Sequence, residues 1–531
     1  MFQFYNLKYS YPQAVVNIID GASGQLLKGD KVGLIGPNGA GKSTLLNILA
    51  GIMPDAAGEI TPAGQKVLLV RQDGLLVNNE ALSANSKSRF DYLSGSIYDY
   101  LASAMDDWWQ VSDSWEKFSS KQLELDAPLS SLSGGQRLML SLLLAIAQKP
   151  AVLLLDEPSN HLDKPSREIL IVKLLTTKIP LIISSHDIDF LNQVTNRTWE
   201  LFEGKLNVYG GNYDFYEEQI AQICSQAQGK LELRKKQTTK THLVIELKQK
   251  NFNRHQQKLN LLGKMDDRSM PKSMRNSLKR SGQQVFGREM VNLRGKLEDI
   301  DSQQLTSYEE YLLDNQKRLS RKIAWPTVLA GKTKGQLLSI RGGSLHSPSG
   351  KLLQQNLNLQ LATGDKLRLA GANGSGKSCL ARFITDDPGY SSLVNGQITR
   401  TAYASATVSQ DYLDSPTDTT VEELVRSSSK LAETEYRKVL AALGFQADDL
   451  TRSALQLSGG QIARLRLAVA ICCLPDVLLL DEPTNNLDIY SKQLLARALA
   501  SYPATIVIIT HDDWFMRQLG EGIKTVQLRD V

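Results

Sequence analysis

The chain has 531 residues with a net charge of +5, and 42% of the residues are hydrophobic while 22% are charged. This balance is typical of a folded globular protein and excludes a disordered chain, and the length indicates more than one domain. No apolar run approaches the roughly 20 residues that a membrane helix needs, and the first residues predict no signal peptide. The four cysteines show no metal-ligand spacing, which disfavours zinc and iron–sulfur modules. We therefore expect a cytoplasmic protein without membrane spans.

Several motifs occur twice in the same order, which indicates two homologous halves. LSGGQ, LLLDEP and a histidine–aspartate pair each recur after 325 residues, and a GxxxxGKS segment recurs after 335 residues. Within each half the pattern is strand, glycine loop and helix, followed by strand, acidic pair, helix and strand. The run VLLLD, present in both halves, predicts a parallel strand that is buried on both faces. We therefore predict an α/β fold with a largely parallel sheet in each half.

A glycine-rich loop follows an early apolar run in each half, GPNGAGKS at 36–43 and GANGSGKS at 371–378. Such loops let backbone N–H groups converge on a nucleotide phosphate, and the following helix adds its N-terminal dipole. Lys42 and Lys377 would then reach the β- and γ-phosphates, and Ser43 and Ser378 would bind Mg²⁺. The alternative is a glycine turn that only caps a helix. The motif occurs twice, each time directly after a predicted strand, which argues against this alternative. The residues predicted to bind ATP here are Gly36, Asn38, Gly39, Gly41, Lys42, Ser43, Thr44, Gly371, Asn373, Gly374, Gly376, Lys377 and Ser378.

An acidic pair follows the buried strand in each half. Asp156 and Asp481 end these strands, where a carboxylate can hold Mg²⁺. Glu157 and Glu482 come next and are placed to polarise the water that attacks the γ-phosphate. Such a pair can also be an ordinary charge at a helix start, but its repeated register with a phosphate loop favours the catalytic interpretation.

The region between the halves, 218–334, has a different periodicity. Apolar residues recur at steps of three, four or seven positions, which predicts two helices packed as an antiparallel hairpin with a turn near Gly263–Gln284. The seam residues are Tyr216, Ile220, Ile223, Ala227, Leu231, Ile245, Phe252, Leu259, Phe286, Met290, Leu293, Leu297 and Ile300.

Positive charge is concentrated in this hairpin. Lys230–Arg288 contains sixteen basic and four acidic residues, a net charge of +12 that leaves −7 for the rest of the chain. Such one-sided charge suits a polyphosphate surface, and a solvated coiled coil is the alternative. The residues near the turn that we predict to contact RNA are Lys264, Arg268, Lys272, Arg275, Lys279, Arg280 and Arg288.

With LSGGQ beside these motifs, the sequence resembles the ATP-binding cassette (ABC) superfamily over both halves. LSGGQ could also be an N-cap serine before a flexible turn. The resemblance instead implies that the LSGGQ segment of one cassette binds the γ-phosphate of ATP held by the other. Two composite sites would result, head to tail. One would combine Lys42, Asp156, Glu157 and His186 with Ser458, Gly459, Gly460 and Gln461; the other would combine Lys377, Asp481, Glu482 and His511 with Ser133, Gly134, Gly135 and Gln136.

The resemblance implies further site residues. Gln72 and Gln410 match the family's Q-loop glutamines, which contact ATP and Mg²⁺. His186 and His511 match its switch histidine and count, with the two glutamates, as catalytic. SNHLD and TNNLD match its D-loop. Tyr11 aligns with the aromatic residue that stacks on adenine, whereas His346 or Ser347 falls at that point in the second half. Both sites keep the glutamate, the histidine and the signature, which favours two hydrolytic sites.

A basic helical hairpin between two cassettes resembles the ABC-F family in particular, and Gly210–Gln219 looks like its linker entry. The predicted organisation is an ABC ATPase domain at 1–217, a coiled-coil linker at 218–334 and a second ABC ATPase domain at 335–531. The resemblance implies a monomer that binds the ribosome at the tRNA exit site, near rRNA and tRNA of the peptidyl-transferase region, and binds neither DNA nor membrane. We favour a ribosomal protection (antibiotic-resistance) ATPase. The alternatives are a general translation factor and a twin-cassette subunit of a membrane importer.

Overall fold

A computed structural model describes most of the chain. The residues outside the description are 13–15, 54, 63, 78–94, 120–122, 161, 266–271, 303–304, 331–334, 373, 388, 391–393, 409–417, 486 and 529–531. In the helices, the backbone alone is described at residues 113, 117–119, 256, 259–265, 272–276, 278–279, 282 and 301. The chain folds into two compact units. One contains the segments Met1–Tyr216 and Arg318–Val531, and the other is Glu217–Lys317. We call 1–216 the first cassette, 318–531 the second cassette and 217–317 the hairpin unit.

The first cassette alternates strands and helices, as the sequence pattern predicts. Its strands are β1 Phe2–Tyr9, β2 Ile19–Leu26, β3 Lys31–Ile35, β4 Ala57–Thr61, β5 Val67–Val70, β6 Leu76–Val77, β7 Val152–Asp156, β8 Leu181–Ser184, β9 Arg197–Phe202 and β10 Lys205–Tyr209. Its helices are α1 Lys42–Leu49, α2 Ile97–Ala104, α3 Trp109–Ser119, α4 Gly134–Ala147, α5 Lys164–Thr176 and α6 Ile188–Val194.

Two sheets form the first cassette. Strands β1, β2 and β4 form an antiparallel sheet, while the larger sheet has the order β10-β9-β3-β8-β7-β5-β6. Its five central strands are parallel, and the edge strands β10 and β6 are antiparallel to their neighbours. Four residues of β7, Val152 to Leu155, are buried, as expected for an apolar strand covered on both faces.

The second cassette repeats this architecture. Its strands are β11 Gln336–His346, β12 Leu352–Ala362, β13 Lys366–Ala370, β14 Val394–Arg400, β15 Ser405–Val408, β16 Val477–Asp481, β17 Thr505–Ile509 and β18 Lys524–Gln527. The helices α7 to α9 belong to the chain between the cassettes and are given below; those of the second cassette are α10 Lys377–Ile384, α11 Val421–Ser428, α12 Glu433–Ala442, α13 Ala447–Leu450, α14 Gly459–Cys472, α15 Ile489–Ala500 and α16 Asp513–Gln518. Its parallel sheet has the order β15-β16-β17-β13-β18, which confirms the predicted α/β class.

Three helices connect the cassettes along the chain: α7 Tyr213–Met265, α8 Lys272–Ser302 and α9 Ser307–Ser320. The antiparallel pairing of the first two follows from two contacts, Lys248 with Glu289 and Phe252 with Phe286. The ring centroids of the two phenylalanines are 4.1 Å apart and their planes differ by 10°. Both residues belong to the predicted seam. Helix α8 begins earlier than the predicted turn allows, because the stretch after Pro271 contains residues that are compatible with a helix.

Ion pairs also join the helices of the hairpin unit. Lys248 Nζ lies 2.7 Å from Glu289 Oε2, and Lys230 Nζ lies 2.7 Å from Glu309 Oε1. Among the predicted RNA-contact residues, Arg280 and Arg288 are exposed. The others lie outside the described residues or have undescribed side chains: Lys264, Arg268, Lys272, Arg275 and Lys279.

The first turn of α7 packs on the first cassette. Tyr213 is buried against Ile188 and Leu191 of α6. Asn192 Nδ2 donates to Asp214 Oδ1 at 2.6 Å, and Asp214 N donates back to Asn192 Oδ1 at 2.9 Å. The helix that enters the linker is therefore tied to α6.

At the other end of the linker, Leu329 lies within the predicted linker but is buried in the core of the second cassette. The hairpin unit ends at Lys317. The predicted domain boundaries stay predictions. No helix in the described ranges combines the length and apolarity that a bilayer span requires.

The stacked rings predict a measurable coupling within the hairpin unit. In a double-mutant cycle of Phe252→Ala and Phe286→Ala, we expect a coupling free energy of about 0.5–1.5 kcal/mol, because the stacked pair contributes beyond its burial. Native-state hydrogen exchange of α7 and α8 amides measures it. Val285→Ala is the control, since Val285 is 60% exposed. Additive effects of the two Phe substitutions would contradict the stacking.

Candidate nucleotide sites

The phosphate loops leave β3 and β13 through glycines that no other residue could replace without a clash. A Cβ on Gly36 would lie 2.4 Å from the carbonyl oxygen of Leu201, and a Cβ on Gly371 would lie 2.6 Å from that of Leu528. The φ angles are +147° and +155°. The neighbouring strand therefore requires glycine at the start of each loop.

The helices after these loops begin without a side-chain cap. Gly41 and Gly376 are the N-caps of α1 and α10, and neither helix has a side-chain cap hydrogen bond. Lys42 Nζ donates to the carbonyl oxygens of its own loop, at 2.9 Å for Gly36 and 3.1 Å for Pro37. Lys377 Nζ repeats this arrangement. Uncapped N–H groups beside an ammonium can bind a phosphate.

The acidic pair lies where β7 ends, next to the phosphate loop. Burial raises the pKa of Asp156, and a hydrogen bond with Ser43 opposes the rise. Glu157 has a φ of +50° and Glu482 a φ of +47°. A left-handed backbone is costly for such a residue and is often found at functional sites.

Glu157 faces the switch histidine of the same cassette. Glu157 Oε1 lies 3.5 Å from His186 Nε2, and His186 N donates to Glu157 Oε2 at 3.4 Å. Burial raises the pKa of Glu157 to about 7 and lowers the pKa of His186 well below its usual range. The histidine is therefore neutral at physiological pH, and the structure places this predicted pair in direct contact.

The second site has the same arrangement. His511 Nε2 lies 3.7 Å from Glu482 Oε1. Burial raises the pKa of Glu482 to about 7 and lowers the pKa of His511 to about 4. A cavity of about 510 Å³ collects the residues of this site with part of the first cassette's D-loop. Among its lining residues are Lys377, Ser378, Asp481, Glu482, His511, Ser347, Ser159 and Asn160.

The D-loop of the second cassette reaches the phosphate loop of the first. Asn38 N donates to Asp488 Oδ2 at 3.1 Å, while Asp488 Oδ1 accepts from Ser491 N as the N-cap of α15. The counterpart of Asn38 in the second loop, Asn373, lies outside the described residues, as do His161 and Asn486 of the D-loops.

The LSGGQ segments form helix caps in this structure. Ser133 Oγ accepts from Gln136 N at 3.2 Å, and Gln136 Oε1 accepts from Ser133 N at 2.9 Å. Ser458 and Gln461 form the same capping box on α14. The described cavity around Lys377 is lined by D-loop residues, and Ser133 is not among them. The γ-phosphate contact of these segments stays a prediction.

Other predicted site residues take definite positions. Tyr11 is 44% exposed, and its hydroxyl lies 2.9 Å from Thr44 Oγ1 at the start of α1. Gln72 is exposed in the turn between β5 and β6. Ser347, one of the two residues predicted to correspond to Tyr11, lines the cavity of the second site. Gln410 lies outside the described residues.

The donor set fits a hard cation beside a nucleotide. Ser43 and Asp156 bring a hydroxyl and a carboxylate oxygen together, which is the oxygen chemistry that Mg²⁺ prefers. Among the described residues, Glu157 Oε1 and His186 Nδ1 are buried without a hydrogen-bond partner. Such groups are costly in a fold and are available to a ligand or water.

Comparison with known proteins agrees with this geometry. An ABC transporter family model matches residues 19–160 and 354–485, one segment in each cassette. A second ABC transporter model matches residues 199–279, from the end of the first cassette into the linker. The chain belongs to the ATP-binding cassette family and, within it, to the ABC-F family.

Relatives of known name match nearly the whole chain. Ribosome protection protein VmlR of Bacillus subtilis is 26% identical over 502 residues, which is 92% of this chain and 80% of VmlR. The energy-dependent translational throttle protein EttA of Mycobacterium tuberculosis is 27% identical over 534 residues, covering 94% and 87%. ABC transporter F family member 5 of Arabidopsis thaliana is 26% identical over 564 residues, covering 98% and 74%.

The solved structure of an RNase-L inhibitor is similar in fold. It has a TM-score of 0.59 and 15% sequence identity, and the match covers 99% of this chain and 90% of that chain. At this identity the likeness shows the fold alone. The family membership makes the protein an ATPase that binds and hydrolyses ATP.

Sequence reasoning missed the contacts made around the switch histidines. Arg167 Nη2 lies 2.7 Å from Asp187 Oδ1, and Lys492 Nζ lies 2.8 Å from Asp512 Oδ2. The two pairs are related by the same 325-residue spacing as LSGGQ. The repeat could have revealed that basic residues stand at equivalent positions, but not which atoms they contact.

The buried glutamates predict a pH-dependent cost in stability. Folding raises the pKa of Glu157 and Glu482 from 4.5 to about 7. The fold therefore favours the protonated form, and the cost of the ionised form grows as pH rises from 4.5 through 7. For nucleotide-free protein, we expect Glu157→Gln and Glu482→Gln to raise stability at pH 8 by roughly 1–3 kcal/mol per site.

Most of this gain should disappear at pH 5, where the glutamates are largely protonated in the folded state. Urea unfolding at the two pH values measures it. Glu59→Gln is the control, since Glu59 is exposed on β4. A gain that is equal at pH 5 and pH 8 would show that burial of charge is not its cause.

Proposed function

We propose that this ABC-F ATPase binds the ribosome at the tRNA exit site and acts on the peptidyl-transferase region as a ribosomal protection protein. The observation that carries the proposal is a basic two-helix hairpin inserted in the chain between two ATPase cassettes. The proposed partners are rRNA and tRNA, and the proposed location is the cytoplasm.

The hairpin unit combines exposed positive charge with ion pairs between its helices. The ion pairs of Lys230 and Lys248 link its helices to one another. Further basic side chains are exposed: Lys235, Lys236, Lys240, Lys250, Arg254, Lys258, Arg280 and Arg288. Lys and Arg displace counterions from phosphates and supply most of the affinity of such complexes. This distribution favours a polyanionic partner.

The relatives support two roles that share this partner. VmlR is named for ribosome protection and EttA for translational throttling. Their identities to this chain are almost equal, at 26% and 27%. A general translation factor is therefore the second candidate, and both candidates use the same ATPase machinery.

ATP binding is assigned to the phosphate loops, with the LSGGQ segment of the opposite cassette closing each site. Mg²⁺ would be held by Ser43 and Asp156 in one site and by Ser378 and Asp481 in the other, with Gln72 and Gln410 nearby, and would supply charge stabilisation at the phosphate oxygens. Tyr11 offers a ring for adenine in the first site.

Glu157 and Glu482 are assigned as the general bases. A carboxylate with a pKa near 7 is ionised in part at physiological pH and can still accept a proton from water. The main-chain N–H of His186 donates to Glu157 Oε2 and holds the carboxylate in place, with the neutral imidazole Nε2 3.5 Å from Oε1. The same roles fall to His511 and Glu482.

The first test uses the double variant Glu157→Gln with Glu482→Gln. We expect ATP binding to persist and hydrolysis to fall at least about 100-fold, because the bases are lost while the phosphate loops remain. The variant should therefore accumulate on ribosomes with ATP, which sedimentation through a sucrose cushion measures. The same variant with ADP is the control. Equal ribosome occupancy of variant and wild type with ATP would contradict the proposed cycle.

The second test separates protection from a general translation role. We expect the protein to raise the minimum inhibitory concentration of one class of peptidyl-transferase antibiotics several-fold when expressed in a sensitive bacterium. The double glutamine variant should give no such protection, because it cannot leave the ribosome. If no drug in the panel shifts while translation without drug changes, the protein is a general translation factor.

A further inference from the structure

Four charged side chains form a buried cluster where the cassettes meet. Arg167 and Lys492 are each the fourth residue after the D-loop aspartate of their cassette, and Asp187 and Asp512 each follow a switch histidine. The side chains are between 8% and 20% exposed. Each basic residue pairs with the aspartate of its own cassette, so the internal sequence repeat relates one ion pair to the other.

One contact breaks this symmetry. Lys492 Nζ also donates to the main-chain carbonyl oxygen of His186 in the first cassette, at 3.0 Å. We call residues 186–189 and 511–514 the switch segments of the two cassettes. The same ammonium therefore joins both, Asp512 in one and His186 in the other. The described ion pair of Arg167 stays within its own cassette.

The contact holds the main chain of His186 through its carbonyl oxygen, while its N–H is held by the proposed base. His186 N donates to Glu157 Oε2, and His186 O accepts from Lys492. The main chain of His186 is thus fixed between the base of the first site and the second cassette. A buried ammonium requires such acceptors, since an unpaired charge is costly to bury.

We propose that Lys492 is a positioning residue, supplied by the second cassette, that orders His186 and Glu157 in the first site. ATP hydrolysis in the first site then depends on a contact that exists only when the cassettes are docked. The two sites are therefore inequivalent although their motifs match. The inference rests on the roles proposed above for Glu157 and His186.

A matched control separates positioning from docking. Arg517 Nη2 lies 2.5 Å from Asp189 Oδ1, so it also joins the second cassette to the switch segment of the first. The Arg517 side chain is 59% exposed, and exposed ion pairs contribute little to stability. Arg517→Met therefore removes a cross-cassette contact without freeing the main chain of His186.

The experiment measures each site alone in the full-length protein. Glu482→Gln leaves only the first site active, and Glu157→Gln leaves only the second. In the Glu482→Gln protein, we expect Lys492→Met to lower kcat for ATP hydrolysis at least about tenfold, because a misplaced catalytic group is costly. The KM for ATP should change less than about twofold, since the phosphate loop is intact.

Conservative replacements give a further readout. Lys492→Arg keeps a cationic donor and should retain most of kcat, whereas Arg517→Met should stay within about twofold of its parent. Lys492→Gln, which keeps a hydrogen-bond donor without the charge, replaces Lys492→Met if that variant does not fold. Thermal unfolding and ATP binding verify that each variant is folded.

Two results would overturn the proposal. One is an unchanged kcat of the first site in a folded Lys492→Met or Lys492→Gln protein. The other is an equal loss in Arg517→Met, which would make Lys492 one docking contact among several. Failure of the proposed catalytic roles is distinct, because Glu157→Gln with Glu482→Gln would then still hydrolyse ATP without any change at Lys492.

Discussion

The edge of the parallel sheet where β3, β7 and β8 end positions the groups of the candidate site in the first cassette, and β13, β16 and β17 do the same in the second. Parallel strands bring their carboxyl ends to one edge, and the strands β3, β8 and β7 are adjacent in the sheet. The phosphate loop, the acidic pair and the switch histidine follow these three strands, so segments far apart in sequence meet without special folding of loops. The strand register places the acidic pair beside the histidine: Asp156 is paired with Ser184, two residues before His186.

The price of this arrangement is a set of polar groups in an apolar interior. Glu157, His186 and Lys42 are buried beside a core of leucine and isoleucine, and burial shifts the pKa of all three toward their neutral forms. The left-handed backbone of Glu157 adds strain. A fold built for stability alone gains nothing from burying these groups, which supports the catalytic roles proposed for them.

Much of this could be predicted from the sequence, because repetition and strict spacing carry the information. The phosphate loops, the buried VLLLD strands and the seam pair Phe252 and Phe286 follow from local patterns. The contacts of Lys492 with His186 and of Asp488 with Asn38 do not, because they join residues more than 300 positions apart through a docking geometry that no local pattern encodes. The role of the LSGGQ serine was open for a different reason: its side chain can cap a helix, as Ser133 does, or bind a ligand.

The first turn of the long linker helix α7 is attached to α6. Tyr213 and Asp214 bind the helix that directly follows the switch histidine, and α7 continues without a break to Met265. A helix of 53 residues is about 80 Å long at 1.5 Å per residue. A tilt of about 5° at Tyr213 would therefore move the far end of a straight helix by about 7 Å. A straight helix of this length would thus turn a small tilt at its first turn into a displacement of about the width of a nucleotide at Met265.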